Sequence, residues 1–225
     1  MNKKKFAIFS SLILVALSLF FIHKIVYQLY DKYNDTRLDP IKFSTLKVDS
    51  TKTYDWILLG DSHCQNWKIK DKKVLNLGIS GQTSAQIKIR SILLKDELKG
   101  RNLILAIGAN DIKSIATNPE NSNLIINNCI QNMQEIIMQW KGNFANIYIL
   151  TVPPDFNVGI QQRLFNYQET CDAKIIVNNR IRNLAKTNNI KLIDTFHIFQ
   201  DKINLSDDGI HMNEKAYNIL NSYLK

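Results

Sequence analysis

The chain has 225 residues, 45% of them hydrophobic and 22% charged, and carries a formal charge of +9. Those values describe a globular protein, not a disordered one, and the length leaves room for one domain of ordinary size with a real core. Residues 1–59 carry +4 of that charge and residues 60–225 carry +5; in the second part the charge is spread without any block of like charge, and no RNP-like or zinc-finger pattern occurs, so nucleic-acid binding is disfavoured.

Lys3, Lys4 and Lys5 precede residues 6–22, whose only polar members are Ser10, Ser11 and Ser18. As a helix this run spans roughly 25 Å, and adding Ile25 and Val26 brings it near the ~30 Å hydrocarbon core. The run exceeds a signal-peptide h-region, and the exit His23-Lys24-Ile25-Val26-Tyr27 has no A-x-A-like cleavage site. An uncleaved signal anchor is therefore favoured over a secreted, cleaved chain, and with no cysteine before Cys64 a lipoprotein anchor is excluded. The lysine triplet places the N-terminus in the cytoplasm and the rest of the chain outside, as a single-pass protein of the cell membrane. The expected organisation is a cytoplasmic tip and transmembrane helix over 1–26, a polar juxtamembrane stalk over 27–53, and one domain over 54–225.

Strand signals recur at 54–59, 74–77, 103–107, 147–150 and 191–193, as short apolar runs ending in turn residues. A helix is expected over 84–98, with Ile87, Ser91, Leu94 and Leu98 on one face and Thr83 or Ser84 as N-cap. Ile126, Ile130, Met133, Ile137 and Trp140 mark a second helix that stops before Gly142. Ile176, Val177, Ile181 and Leu184 mark a third, and Tyr217, Leu220 and Leu224 a fourth that starts near Asn213. Short strands alternating with amphipathic helices imply an α/β fold with a five-stranded parallel sheet covered on both faces. Only about a dozen residues separate Ser62 from the strand at 74, near the minimum for a parallel crossover, so the serine is expected in a shallow, open setting. The three cysteines cannot all pair, no metal-ligand spacing is present, and Cys129 falls on an apolar helix stripe as a core residue.

The chemistry collects at the carboxyl ends of the strands. After the first comes Gly60-Asp61-Ser62, after the second the block Asn76-Leu77-Gly78-Ile79-Ser80-Gly81-Gln82-Thr83, and after the third Gly108-Ala109-Asn110-Asp111. Asp207-Asp208-Gly209-Ile210-His211 follows just before the last helix. Gly-Asp-Ser alone is ordinary turn chemistry. Together, however, the blocks supply a nucleophile (Ser62), a base (His211), a group to orient the base (Asp208), and oxyanion donors in Ser62 N–H, Gly81 N–H and the Asn110 amide. Gly60 is expected to permit a tight turn, and Gly81 to let substrate approach its backbone. Asp61 is expected to hold the turn, His63 to form pocket wall, and His197 to be packing or surface. Cys64, at a helix start where a thiol pKa can fall, is not expected to be the nucleophile.

These four blocks, in this order and spacing, resemble the SGNH (GDSL-type) hydrolase family of esterases, lipases and acetyl-esterases over about residues 54–224. The resemblance implies a flavodoxin-like three-layer domain, a Ser62-His211-Asp208 triad and no cofactor. It departs at His63 and Cys64, where many members carry an aliphatic and a small residue, and in the near absence of a first helix. The Gly-Asp-Ser-His start is similar to SGNH domains attached to membrane acyltransferases that modify cell-surface sugars. Three functions follow as expectations. The first is a membrane-tethered carboxyl-ester hydrolase removing acetyl or short acyl groups from a cell-envelope glycan or lipid. The second is an O-acyltransferase with the same triad, and the third a non-catalytic envelope binding protein of the same fold.

Overall fold

A computed structural model describes residues 3–42, 44, 46–70, 72–157, 167–202 and 204–224. It divides into two compact units, Met1–Ser44 and Thr45–Lys225. The first is helix α1, Lys3–Leu38, which passes His23 and Lys24 without a break and runs through the first part of the stretch read as a stalk. None of the apolar stretch Phe9–Leu38 is buried, and its side chains, Leu14, Phe20 and Phe21 among them, stand exposed along the length. A helix that is apolar all round and long enough to cross a bilayer is a membrane-span candidate, and a signal sequence meets the same description.

The second unit is a three-layer α/β domain. Strands β1 (Tyr54–Gly60), β2 (Val74–Gly78), β3 (Gly100–Ala106), β4 (Asn146–Leu150) and β5 (Lys191–Ile193) form one sheet in the order β2-β1-β3-β4-β5. Every pairing is parallel, with Gly60 level with Gly78 on one side and with Ala106 on the other. The strands are unbroken apolar runs because both faces are covered. Ile57, Leu59, Leu103, Leu105, Ile147 and Ile149 feed one core, while their neighbours Trp56, Leu58, Ile104, Ala106, Tyr148 and Leu150 feed the other. The order reverses at β1, and ligand sites of open α/β sheets form outside such a point, at the carboxyl ends of the strands.

Helices α3 (Ser84–Leu93), α4 (Ala109–Ile115), α5 (Ser122–Trp140) and α6 (Tyr167–Asn188) supply the first core. Thr83 is the N-cap of α3, its N–H donating to Gln86 Oε1 at 2.9 Å. That helix stops five residues short of the expected end and continues as turns, yet Leu94 and Leu98 stay buried. In α6 the buried stripe is Ala173, Val177, Ile181 and Leu184; Ile176, expected on it, is 42% exposed because it sits one step round the helix.

The second core is closed by α2 (Ser62–Gln65), α7 (Thr195–Phe199) and α8 (Glu214–Asn221). At four residues, α2 is the single turn that the short crossover allows. Asn213 caps α8 by accepting from Ala216 N–H. Neither α4 nor α7 is visible as a helical period in the sequence, each being two turns or fewer.

Candidate active site

Ser62 stands two residues after the end of β1 and begins α2, with Asp61 as N-cap accepting from His63 N–H at 2.9 Å. Gly60 is required for a reason other than the expected turn. Its φ is not in the left-handed region, but a Cβ there would lie 2.2 Å from the Ala106 carbonyl oxygen of β3 and 2.8 Å from Cys64 Sγ. Glycine lets β1 and β3 close together at the point where Ser62 leaves the sheet.

The far end of the chain is brought to Ser62 by α8. Tyr217 stacks on Trp67 with ring centroids 6.0 Å apart, and its hydroxyl donates to the His63 carbonyl at 3.1 Å. Trp67 Nε1–H in turn donates to Asn221 Oδ1 at 2.8 Å. With α8 fixed against the segment that follows Ser62, the turn before it holds His211 over the serine. His211 Nε2 lies 3.1 Å from Ser62 Oγ, and His211 Nδ1 lies 2.6 Å from Asp208 Oδ2. Asp208 Oδ1 also accepts from His211 N–H at 2.7 Å and Ile210 N–H at 2.9 Å. Burial acts to raise the Asp208 carboxyl, but these bonds outweigh it and hold it below the usual carboxylate range. An ionised Asp208 only accepts, so the histidine proton sits on Nδ1 and Nε2 is left as acceptor toward Ser62. This is the line of contacts by which a serine is made nucleophilic.

The expected oxyanion donors lie at the ends of β2, β1 and β3, which are neighbours in the sheet. Gly81 has φ +80°, a left-handed value that glycine adopts without strain, and open space where a Cβ would stand. Asn110 is the second residue of α4, and its Nδ2 donates to the Gln82 carbonyl at 2.9 Å, leaving one amide hydrogen for another acceptor. Asn76 does structural work in its block: Nδ2 donates to the carbonyls of Cys64 (2.7 Å) and Trp67 (3.1 Å), while Oδ1 accepts from Gly78 N–H (2.9 Å).

The shallow setting expected for Ser62 is not what the fold gives. The short crossover opens only the β2 side; on the other side α4, the segment after β4 and α6 build walls. Ser62 is 7% exposed and opens with Asn110 and His211 onto a cavity of about 530 Å³, which Gly81 does not line. Ile112, Ala116, Val152 and Pro153 make that cavity largely apolar, and an ion pair of Lys174 with Asp155 at 2.6 Å lies in its wall.

His63 lines the same cavity, as expected of a wall residue. Its ring is 5.8 Å from that of His211, and burial above all pushes its pKa down to about 3, so it is neutral. Cys64 does not gain the lowered pKa that a helix start can give: it is fully buried in the second core, and burial pushes the thiol up. Desolvation defeats the helix-start effect because α2 is only one turn long. Asp61 is buried as well, its Oδ2 has no partner among the described residues, and burial raises its carboxyl to about 7. His197 is exposed and Cys129 lies in the core.

Sequence reasoning passed over Arg90, Gln82, Asp111 and Lys174, all buried. Asp111 accepts from Ser84 N–H at 2.8 Å and Ser84 Oγ–H at 2.6 Å, tying the third block to the start of α3. A signal for Arg90 existed: it stands three residues after Ile87 and four before Leu94, on the stripe of α3 that should be apolar.

Fold and site together define a flavodoxin-like α/β protein with the constellation of a serine hydrolase. The chain belongs to the GDSL-like lipase/acylhydrolase family, whose family model matches residues 58–219, and it is a serine ester hydrolase. No protein of curated function matches it in sequence. Among solved structures it is similar to Axe2, an acetylxylan esterase from Geobacillus stearothermophilus, with 17% identity, TM-score 0.55, and coverage of 80% of this chain and 94% of that one. It is also similar to a GDSL-like lipase from Bacteroides thetaiotaomicron, with 18% identity, TM-score 0.61, and coverage of 88% and 94%. At these identities the likeness is one of fold.

Proposed function

We propose that the chain is a membrane-tethered carboxyl-ester hydrolase that acts through Ser62, His211 and Asp208 and removes acetyl or other short acyl groups from a cell-envelope glycan. The observation that carries the reading is the continuous line Asp208–His211–Ser62, formed by residues up to 149 positions apart at the mouth of a cavity. In this reading His211 Nε2 takes the Ser62 proton as Oγ attacks the ester carbonyl. The developing oxyanion is met by Ser62 N–H, Gly81 N–H and the free Asn110 amide hydrogen. The protonated histidine then gives its proton to the leaving alcohol, and water repeats the sequence on the acyl-serine. Asp208, held by two backbone donors, keeps the ring in the required tautomer.

The apolar helix α1 supports the tether, and the acetylxylan esterase fold neighbour supports an acetylated glycan. The test is acetate release by the full-length protein in detergent from acetylated glycans and from simple aryl esters, with Ser62→Ala as control. Release that depends on Ser62 supports the reading. Acetate appearing on a glycan acceptor instead of in solution would convert it to acyl transfer, and binding without turnover would overturn it.

A further inference from the structure

A full positive charge is buried where no acid answers it. Arg90, on α3, is 0% exposed, and among the described residues no carboxylate lies within ion-pair distance of it. Burial lowers its pKa to about 10, which still leaves it charged at neutral pH. Its partners are all neutral oxygens: Nη2 donates to the Gly60 carbonyl at 3.1 Å, Nη1 to the Leu77 carbonyl at 2.7 Å, and Nε to Gln82 Oε1 at 2.7 Å. Gly60 ends β1 two residues before Ser62, and Leu77 lies at the end of β2 four residues before Gly81. The backbone carbonyl of Gln82 is the acceptor for Asn110 Nδ2. One guanidinium thus bonds two of the three loops that carry the oxyanion donors and is linked to the third through Gln82.

An apolar side chain at this stripe position would fill the core without the cost of a buried cation. Lysine would bring the charge but not a planar fork that holds three acceptors in fixed directions. We propose that Arg90 is the positioning residue of the oxyanion hole: it locks the turns that aim the Ser62 and Gly81 N–H groups and, through Gln82, fixes the Asn110 amide. The inference rests on the donor assignment proposed above.

The test uses the full-length protein, its reactive serines titrated with a fluorophosphonate so that kcat is expressed per functional site. This separates misaligned enzyme from unfolded enzyme. Arg90→Lys should lower kcat per site by roughly 30–300-fold with KM within about threefold, because the donors act on the transition state and not on the bound ester. Gln82→Met, which removes the side-chain oxygen tying Arg90 to the residue whose carbonyl holds Asn110, should lower kcat about tenfold in the wild-type background. In an Asn110→Ala background it should cost no more than about twofold, the donor it positions being already gone. Should Arg90→Lys fail to fold, the Gln82→Met cycle decides. Wild-type kcat in Arg90→Lys, or a Gln82→Met cost that adds in full to Asn110→Ala, would overturn the positioning role. If Asn110→Ala is itself crippled in that experiment, the donor assignment survives the loss. Wild-type kcat in Asn110→Ala would overturn the donor assignment and this inference with it.

Discussion

At the scale of single residues, neighbouring side chains at the proposed nucleophile differ in character because of what surrounds them. Ser62 faces a histidine and a cavity, whereas Cys64, two positions on, faces a packed apolar core that opposes its thiolate. Ser62→Ala and His211→Ala should each lower kcat on the order of 10⁶, with the double variant little worse, because the two act as one unit. Asp208→Asn should cost less, roughly 10⁴, since the ring survives in the wrong tautomer. Cys64→Ser should stay within about tenfold in kcat, a ΔΔG‡ near 1.4 kcal/mol. Turnover measurements read these changes, and peptide mapping after organophosphonate labelling of the wild type locates the nucleophile; label on Cys64 would contradict the assignment.

Asp61 gives a second residue-scale expectation, one of stability. Its carboxyl titrates at about 7 in the folded chain against an ordinary value of 3.8, with burial as the main cause. Between those values the native state holds a proton that the unfolded state has released. Native stability therefore falls as pH rises through this window, by on the order of a few kcal/mol. Asp111, raised by burial too, adds to the same slope. Asp61→Asn keeps the capping oxygen and cannot ionise, so its urea-unfolding free energy should vary less between pH about 4 and about 7 than that of the wild type. Parallel curves would show that Asp61 is ionised throughout.

At the scale of elements, the third strand end carries the sharpest expectation. Asn110 is placed by α4, whose N-cap Gly108 turns the chain with φ +112°. Asn110→Ala should fold normally and lose roughly 10²–10³ in kcat, about 2.7–4 kcal/mol, and a loss below threefold would reduce it to a turn residue. This is also the scale at which the sequence speaks unevenly. All five strands were legible because a parallel strand covered on both faces is a short apolar run, and the long helices because α5 and α6 keep a stripe over several turns. Helices α4 and α7 were not legible, since seven and five residues are too few to establish a period. The grouping of Ser62, His211 and Asp208 was legible because the three side chains belong to short blocks with turn chemistry. The supports of the site were not: Arg90–Gln82, Ser84–Asp111 and Trp67–Asn221 join residues whose pairing exists only once the sheet has formed. The cavity beside Ser62 was not legible for the same reason, its walls coming from α4 and α6, far along the chain.

At the scale of the whole molecule, the question is what α1 does for a domain that already buries two cores of its own. Its 36 residues extend about 54 Å at ~1.5 Å per residue, well beyond a ~30 Å hydrocarbon core, so the apolar part can span while the rest continues past the interface. Tyr27, Tyr30 and Tyr33 stand exposed just after the apolar run, where aromatic rings favour the boundary between lipid and water. In the tethered arrangement proposed above, Lys3, Lys4 and Lys5 at the other end would hold the N-terminus on the cytoplasmic side and leave the domain outside. The alternative is removal of the segment as a signal, and the two differ in where the mature chain begins. In membranes from expressing cells, the protein should resist alkaline carbonate extraction, and N-terminal sequencing should find residues 1–26 retained. Protease added to intact cells should remove the domain while a cytoplasmic control survives. A mature N-terminus between residues 20 and 35, with activity in the medium, would establish a secreted enzyme instead. Protection of the domain in intact cells would reverse the orientation and remove the envelope glycan as its substrate.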